Sequence, residues 1–363
     1  MKGLDLMRTM RLAVAIIVGA LLLSGCTEKP KVLRLYNWFE YVSPEVVAAF
    51  EAKYDCKVEV TNFDDNEAMM ERLRTDGVGD FDIIVPSTYM IGQMVKERMI
   101  VPIDHTRCPS VRRNFPREYV RMVPDDTEFK YAVPYGISHS GLLCATNRIP
   151  KGVSVDSWAA LGNPVLRGHI FLLEDMREIF ALALMYQGHS VNTEDKGEIE
   201  AAADQILRWC PNVGKWDEDD SLFENDDGTF WVWLAYGDTA NNLLLNGEGL
   251  AAKAGLTVSC PKEGCLFSCE EMTISSGCRN ADLAYAFIEF LYSDSGIGIA
   301  HMKDTGCLLP SAPALEAMPP ELRRLLLPSP EVLSRGQVLE GFDGKPEVQA
   351  LYERVWERIV RER

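Results

Sequence analysis

The sequence has 363 residues, of which 47% are hydrophobic and 25% are charged, and its formal net charge is −17. The composition is ordinary for a globular protein, and the length is sufficient for two domains. The strong negative charge argues against a nucleic acid as a partner and is compatible with a positively charged ligand.

The N-terminal residues have the pattern of an export signal rather than of a folded domain. Basic residues precede the apolar run Leu12–Leu23, which is too short for a typical membrane span. The sequence Leu-Ser-Gly-Cys then ends at Cys26 and resembles a bacterial lipobox. We therefore predict that residues 1–25 are a lipoprotein signal peptide and that Cys26 carries a lipid such as palmitate. Residues 26–31 would be a lipidated tether that holds the protein on the periplasmic side of a bacterial membrane.

Aromatic and acidic side chains follow the first predicted strand. Val32–Tyr36 predicts a buried strand, and Ser43 followed by Pro44 predicts the start of a helix. Between them lie four candidate ligand-binding residues: Trp38, Phe39, Glu40 and Tyr41. Open α/β sheets bind ligands at the carboxyl ends of their strands, and rings beside a carboxylate suit an organic cation. The alternative is that these rings only cover the end of the sheet.

Two more candidates follow a later strand of the same region. Strands are predicted over Cys56–Asn62 and Phe81–Val85, with a helix over Asn66–Arg74 between them. This alternation of strands and helices predicts a mostly parallel sheet covered by helices. Ser87 and Tyr89 come directly after the second strand, so we expect them to face the same crevice as the first cluster. The alternative for Ser87 is a simple helix N-cap.

A second α/β pattern occupies the middle of the chain. Gly136–Ala145 has no helical period and predicts a long strand that crosses between two lobes. Asp175 and Glu178 follow the predicted strand His169–Leu173, and Asp238 follows a later aromatic strand. These carboxylates are candidate ligand contacts. The helix dipole also favours acids at a helix start, which is the alternative reason for the first two.

The last candidate, Glu270, lies inside the predicted strand Phe267–Ile274, next to Glu271. Side chains alternate along a strand, so the two carboxylates are expected on opposite faces, with one free to face solvent while the other faces the cleft. A carboxylate in an apolar setting is costly unless it is paired.

Two segments are predicted to lack regular structure. Residues 102–130 are rich in Pro, Arg and Asp and are expected to form an extended surface excursion. Pro310–Pro330 is expected to be a proline-rich linker before a final helix over Pro346–Val360.

Catalytic and metal-binding motifs are absent from the sequence. It has no GxSxG, P-loop, HExxH or CxxC pattern, so we expect neither an enzyme nor a zinc ribbon, and no cofactor or metal. Nine cysteines follow Cys26, and those between Cys260 and Cys278 are close enough in sequence for disulfide bonds. The alternative is that they are small apolar packing residues. A cysteine paired with His139 as a nucleophile and base also stays open.

The candidate residues share one electrostatic property, which indicates the class of ligand. Several acids stand in these loops, and Arg177 is the one cationic residue among them. Desolvated carboxylates without a partner take up protons, so the countercharge has to come from outside the chain. The aromatic rings favour an organic cation over a hard metal ion, which prefers oxygen ligands.

With these residues identified, the chain resembles the periplasmic polyamine-binding proteins, the spermidine/putrescine-binding components of ABC importers. The resemblance covers nearly the whole mature chain and is most specific in LYNWFEYVSPEVVAAFE, FDIIVPSTYMI, LLEDMREIF, YGD and PKEGCLFSCEEMTI. It implies an α/β fold of the type II periplasmic binding proteins, whose two lobes, each a mostly parallel sheet flanked by helices, close on a ligand between them.

The resemblance also implies roles for single residues. Trp38 and Tyr41, with Glu40 beside them, correspond to the aromatic wall, and Ser87 and Tyr89 to contacts of the second loop. Asp175, Glu178, Asp238 and Glu270 correspond to acids that receive ammonium groups. Asp238 favours putrescine, and spermidine stays open.

The sequence departs from the family pattern at four positions. Phe39 replaces a small hydroxyl residue, and Ala235, Ser268 and Cys307 stand where aromatic residues are usual in the family. The predicted site therefore has less ring surface than is typical.

Taken together, these patterns predict a monomeric, lipid-anchored protein that captures a polyamine and delivers it to an ABC permease. Lobe 1 is predicted to comprise residues 32–137 and 271–308, and lobe 2 residues 138–270 and 309–363. Three alternatives stay open: a binding protein for an iron complex, a sugar or an amino acid; an exported hydrolase; and a lipoprotein that has kept the fold for adhesion or sensing.

Overall fold

The computed structural model describes residues 30–39, 41–124, 126–217, 228–246, 255–327, 329–342 and 344–363. The predicted signal peptide, the lipidation site Cys26, most of the tether and Glu40 lie outside the described residues. Among the helices of the described part, none combines the length and apolar composition needed to span a membrane.

Strands and helices alternate through most of the chain. The strands are β1 (Lys31–Trp38), β2 (Cys56–Phe63), β3 (Ile83–Ile84), β4 (Ile100–Val101), β5 (Ala132–His139), β6 (Gly141–Ala145), β7 (Ile170–Leu173), β8 (Val213–Asp217), β9 (Val232–Ala235), β10 (Leu256–Ser259), β11 (Leu266–Ser275) and β12 (Gln337–Val338). The helices are α1 (Pro44–Tyr54), α2 (Asn66–Asp76), α3 (Thr88–Lys96), α4 (Pro109–Asn114), α5 (Met176–Gln187), α6 (Lys196–Trp209), α7 (Gly237–Asn246), α8 (Ala281–Ser293), α9 (Ser295–Thr305), α10 (Ala312–Ala317), α11 (Pro320–Leu326), α12 (Pro330–Arg335) and α13 (Pro346–Glu362).

The first sheet has the strand order β12-β11-β3-β1-β2, and β4 and β5 also pair with β11. β1 pairs in parallel with β2 and β3, as the order of strands and helices predicts. β11 runs antiparallel to β3, β4 and β5, so the sheet is mixed.

The second sheet has the order β10-β6-β9-β7-β8. β7 is parallel to β8 and β9, whereas β6 is antiparallel to β9 and β10. The predicted long strand is therefore two strands, β5 in the first sheet and β6 in the second, with Ser140 between them. Residues 260–265 connect β10 back to β11. Ser140 and residues 260–265 are therefore the two short crossings between the sheets.

Each sheet has its own core of buried apolar side chains. The first core includes Leu33, Leu35, Phe50, Phe287 and Leu291, and the second includes Trp158, Phe171, Phe180, Trp209 and Tyr352. The bounds of the two lobes, at 137/138 and 270/271, stay a prediction. In the first sheet, β5 ends at His139 and β11 begins at Leu266.

The expectation of irregular structure was wrong for two segments. Residues 102–130 contain α4 and a 3-10 turn over Arg117–Met122, and Val111, Phe115, Tyr119 and Met122 are buried in the first core. These apolar residues recur every three or four positions, which is the spacing of one helix face. Between Pro310 and Pro330, α10 and α11 likewise form short helices with proline in the first turn, where the missing N–H has no cost.

Candidate functional site

A cavity of about 500 Å³ lies between the two sheets, and the ends of strands from both sheets form its walls. Eight of the ten predicted site residues line it: Trp38, Tyr41, Ser87, Tyr89, Asp175, Glu178, Asp238 and Glu270. Phe39 does not line the cavity, and its side chain is 62% exposed. Glu40 lies outside the described residues.

Trp38 and Tyr41 form one wall at the end of β1. The Trp38 ring packs against Phe63 with 4.7 Å between ring centroids, and its buried Nε1 has no hydrogen-bond partner among the described residues. The main-chain carbonyl of Tyr41 accepts hydrogen bonds from Asn37 Nδ2 (3.0 Å) and the Tyr135 hydroxyl (2.6 Å). The Tyr41 hydroxyl donates to Asp238, which lies in the first turn of α7, after β9 of the second sheet. This contact joins the two sides of the cavity.

A polar cluster on the same side links the two neighbouring loops. Asn66 Nδ2, in the first turn of α2, donates to Ser87 Oγ at 3.1 Å and to the Tyr89 hydroxyl at 2.7 Å. Ser87 is the residue before α3, but its side chain makes no capping hydrogen bond. The alternative that Ser87 is a simple N-cap is therefore not supported.

Asp175 and Glu178 form the opposite wall, at the start of α5. Asp175 Oδ1 accepts from the Glu178 N–H at 3.0 Å, so it is the N-cap of this helix. Its other oxygen accepts from the Tyr236 hydroxyl at 3.4 Å. Glu178 is buried and accepts from Ser140 Oγ at 2.9 Å. Asp175 therefore has a structural role and also lines the cavity.

Glu270 lies in β11 at an irregularity of the sheet. It pairs with Gly136, whereas Glu271 pairs with Pro134, so the register shifts between the two glutamates. Both side chains are buried, and only Glu270 is among the residues that line the cavity. Ser87 hydrogen-bonds to Glu270, whose Oε2 has no partner among the described residues. The expectation that one glutamate faces solvent was wrong.

Three carboxyl groups of the cavity have a raised pKa, which favours their protonated forms. Burial and the neighbouring Asp175 raise the pKa of Glu178 to about 8. Burial and Asp238 raise the pKa of Glu270 to about 8, and burial also raises the pKa of Asp238. An ammonium group inside the cavity would favour the ionised forms instead.

No lysine or arginine is among the described residues that line this cavity. An adjoining cavity of about 640 Å³ shares Tyr89 and Asp175 with it and is lined also by Arg74 and Arg177. Arg74 pairs with Glu97 at 2.8 Å, and the Arg177 guanidinium lies 4.2 Å from the centroid of the Phe342 ring. The two arginines are thus engaged outside the acidic cavity.

Several lining residues were missed by the sequence analysis. The polar ones include Asp64, Asp65, Asn66 and Glu67, which follow β2, together with Thr88 and Ser138. The rule that selected Trp38 and Asp238, a polar group directly after a strand, would also have selected the β2 end. The hydroxyl groups of Ser268 and Ser138 are hydrogen-bonded to each other at 2.8 Å, which makes this part of the wall polar.

The nine cysteines of the described part are all free thiols. Most are buried in the two cores, which fits the role of small packing residues.

Comparisons with known proteins agree with the predicted fold. The family model described as bacterial extracellular solute-binding protein matches residues 45–323. The chain also superposes on the crystal structure of the spermidine/putrescine ABC transporter substrate-binding protein PotD of Streptococcus pneumoniae. The TM-score is 0.81 at 24% identity, over 92% of this chain and 99% of the other. A lipoprotein of Treponema pallidum gives a TM-score of 0.75 at 23% identity, over 91% of this chain and 99% of the other. The predicted two-lobed α/β fold class is thereby confirmed.

Curated relatives are similar over most of their length. The spermidine/putrescine-binding periplasmic protein of Salmonella typhimurium is 30% identical over 333 residues, which cover 90% of this chain and 91% of that protein. The corresponding Escherichia coli protein is 30% identical over 311 residues, which cover 84% and 85%. The resemblance to the spermidine/putrescine-binding periplasmic proteins is confirmed, and the chain belongs to the family of bacterial extracellular solute-binding proteins.

Proposed function

We propose that this protein captures a polyamine, putrescine or spermidine, in the cavity between its sheets and delivers it to the permease of an ABC importer. The observation that carries the proposal is the cavity wall, in which buried carboxylates and aromatic rings occur without a lysine or arginine among the described lining residues. A flexible chain that bears ammonium groups supplies the positive charge that the acids lack and an apolar surface for the rings. Its charges pair with the acids, and its methylenes pack on the rings.

Particular residues have distinct roles in this proposal. Trp38 and Tyr89 provide ring surface, and the carboxylates of Asp238 and Glu270 receive one ammonium group. Asp175 and Glu178 receive the amine at the other end, across the cavity. The Tyr41 hydroxyl and Asp238, from opposite sides of the cavity, are already in contact. One end of the ligand can therefore bind beside this pair without a large movement of the two sides.

An amino-acid ligand fits the cavity less well. Its carboxylate needs a cation or a set of N–H donors, whereas the described wall offers acids. The hydrolase alternative rests on His139 with a cysteine, and Cys260 does lie 3.7 Å from His139. Neither residue lines the cavity, so substrate held there would not reach them. We expect no catalytic activity.

Delivery to the permease requires two distinguishable conformations. The acids and rings of the cavity come from both sheets, so a ligand that contacts all of them stabilises a closed arrangement. We propose that the permease recognises this closed form of a monomer held at the membrane by lipid on Cys26. Prevention of lipidation by Cys26→Ser should release the protein from the membrane fraction without a change in polyamine affinity.

A thermal-shift screen tests the proposal against its alternatives. The purified protein is heated with putrescine, spermidine, cadaverine, sugars, amino acids and metal ions, each in separate samples. We expect a dose-dependent rise in Tm with a polyamine and none with the sugars or amino acids. A ligand raises Tm only if it binds the folded protein more tightly than the unfolded chain. Stabilisation by a sugar or an amino acid and by no polyamine would reject the proposal.

A further inference from the structure

Three side chains with metal-binding atoms meet outside the acidic cavity. His139, Cys260 and Cys265 each offer one ligand atom, and these atoms all lie within 4.8 Å of one another. The Cys260 sulfur is 3.7 Å from both ring nitrogens of His139. The thiols of Cys260 and Cys265 are also hydrogen-bonded to each other.

These distances are close to those of a known kind of metal site. In a tetrahedral Zn²⁺ site, bonds of about 2.3 Å to sulfur and about 2.0 Å to nitrogen place sulfur and nitrogen ligands about 3.6 Å apart and two sulfur ligands about 3.8 Å apart. The Cys260 sulfur is already at such a distance from the His139 ring, and the pairs that involve Cys265 lie within 4.8 Å, so only those pairs need to move inward. Two sulfurs and one imidazole nitrogen also form a soft ligand set, which selects thiophilic cations over Mg²⁺ and Ca²⁺.

We propose that His139, Cys260 and Cys265 bind one thiophilic divalent cation of the Zn²⁺ class, with a water molecule in the fourth position. His139 and Cys265 are buried, whereas Cys260 is half-buried, so the open position lies on the accessible side of the cluster. Two thiolates neutralise the charge of the ion, and the imidazole adds a neutral ligand. The cysteines are separated by four residues rather than two, so they form no CxxC motif.

The position of the site in the fold gives it a mechanical consequence. His139 is the last residue of β5, directly before the crossing into β6. Cys260 follows β10 and Cys265 precedes β11, so they bound the return crossing between the sheets. A bound ion would join the two crossings and restrict the relative movement of the lobes. The site is separate from the polyamine cavity, although the His139 ring contacts Phe267, which lines that cavity.

Cobalt titration of the reduced, metal-free protein tests the proposal. Co²⁺ bound by thiolates gives near-ultraviolet charge-transfer absorption and intense visible bands in a tetrahedral site. We expect these bands to saturate at one Co²⁺ per chain and to disappear when Zn²⁺ is added. Absence of thiolate-to-cobalt absorption in the wild-type protein would overturn the proposal.

Variants assign the ligands. Cys260→Ser and Cys265→Ser should abolish the charge-transfer bands, and His139→Gln should weaken Co²⁺ binding at least about tenfold, since even outer-shell partners of a metal contribute that much. Cys210→Ser and Cys278→Ser remove half-buried thiols outside the cluster and should leave the spectrum unchanged. Bands that persist in both cluster variants, or that vanish in the control variants, would contradict the assignment.

A measurement on the wild-type protein tests the same ligands without requiring that the variants fold. Zn²⁺ should protect the half-buried Cys260 from alkylation by iodoacetamide, as read by peptide mass spectrometry, and should leave Cys210 and Cys278, which are half-buried as well, reactive. Equal alkylation of Cys260 with and without Zn²⁺ would overturn the proposal. A Cys260–Cys265 disulfide that resists reductant would overturn it as well, because the pair would then be a covalent crosslink rather than a ligand set.

Discussion

Glu270 and Glu271 are adjacent buried glutamates, and only Glu270 lines the cavity. Glu270→Gln should weaken polyamine binding by about 2 kcal/mol or more, because the ammonium group stays desolvated without its charged partner. Glu271→Gln is the matched control, since it makes the same change one residue away on the same strand. Calorimetric titration with putrescine and spermidine checks both. Equal affinities for the wild type and the Glu270 variant would remove Glu270 from the site.

Of the neighbouring aromatic residues Trp38 and Phe39, likewise, only one lines the cavity. Trp38 lines the cavity and packs on Phe63, whereas Phe39 is 62% exposed. Trp38→Ala should weaken polyamine binding by about 1 kcal/mol or more through loss of cation–π and apolar contact. Phe39→Ala should leave the affinity unchanged. If Phe39→Ala has the larger effect in the same titration, Phe39 rather than Trp38 contacts the ligand, and the assignment of Trp38 is wrong.

At the residue scale, eight of the residues that line the cavity could be predicted from the sequence. The useful signal was a ring or acid directly after an apolar strand, which selected Trp38, Asp175 and Asp238. It could not separate Trp38 from Phe39, because a turn after β1 breaks the alternation that tells inward from outward side chains. It also could not show that Asp175 caps α5 while it lines the cavity.

At the element scale, the first turn of α7 depends on a glycine. A Cβ on Gly237 would lie 2.4 Å from the carbonyl oxygen of His139, so a larger residue would displace this turn and Asp238 with it. Gly237→Ala should destabilise the protein by about 1–3 kcal/mol and weaken polyamine binding. Denaturant unfolding and titration measure the two effects.

Gly92 provides the control for that substitution. It lies exposed in the interior of α3, and a Cβ there would meet no atom within 4 Å. Gly92→Ala should therefore stabilise the protein by up to about 1 kcal/mol. Equal effects of the two substitutions would show that the close approach of Gly237 to β5 has no energetic importance.

Long elements with a clear period were predictable, and short ones were not. The strand at β1 and the helix start at Ser43 follow from an apolar run and a cap, and Ser43 does accept from the Val46 N–H at 3.1 Å. The turns of residues 102–130 were missed, because prolines and arginines mask four buried apolar residues. The break of the long strand at Ser140 was also missed, since no residue type there marks a change of sheet.

At the scale of the whole molecule, the buried acids make stability depend on pH. Glu178 and Glu270 have a pKa of about 8 in the folded, ligand-free protein, above their ordinary value. The folded state therefore binds more protons than the unfolded state between about pH 4.5 and about pH 8, and stability falls as pH rises through this window. Thermal unfolding at a series of pH values should show this fall, and saturating putrescine should reduce it.

The double variant Glu178→Gln/Glu270→Gln isolates the contribution of the two acids. Its stability should fall less over the same pH range, because neither side chain titrates. A wild-type protein whose stability rises through the window, or a double variant with an unchanged profile, would show that the two acids do not bind these protons.

The central claim is that the cavity between the sheets binds a polyamine, and calorimetric titration of the wild-type protein tests it most directly. Putrescine and spermidine are titrated into ligand-free protein in two buffers of different ionisation enthalpy. We expect saturable binding of one ligand per chain by at least one of them, with net release of protons as Glu178 and Glu270 ionise. Absence of saturable binding for both polyamines would contradict the account, and binding without proton release would contradict the assignment of the buried acids.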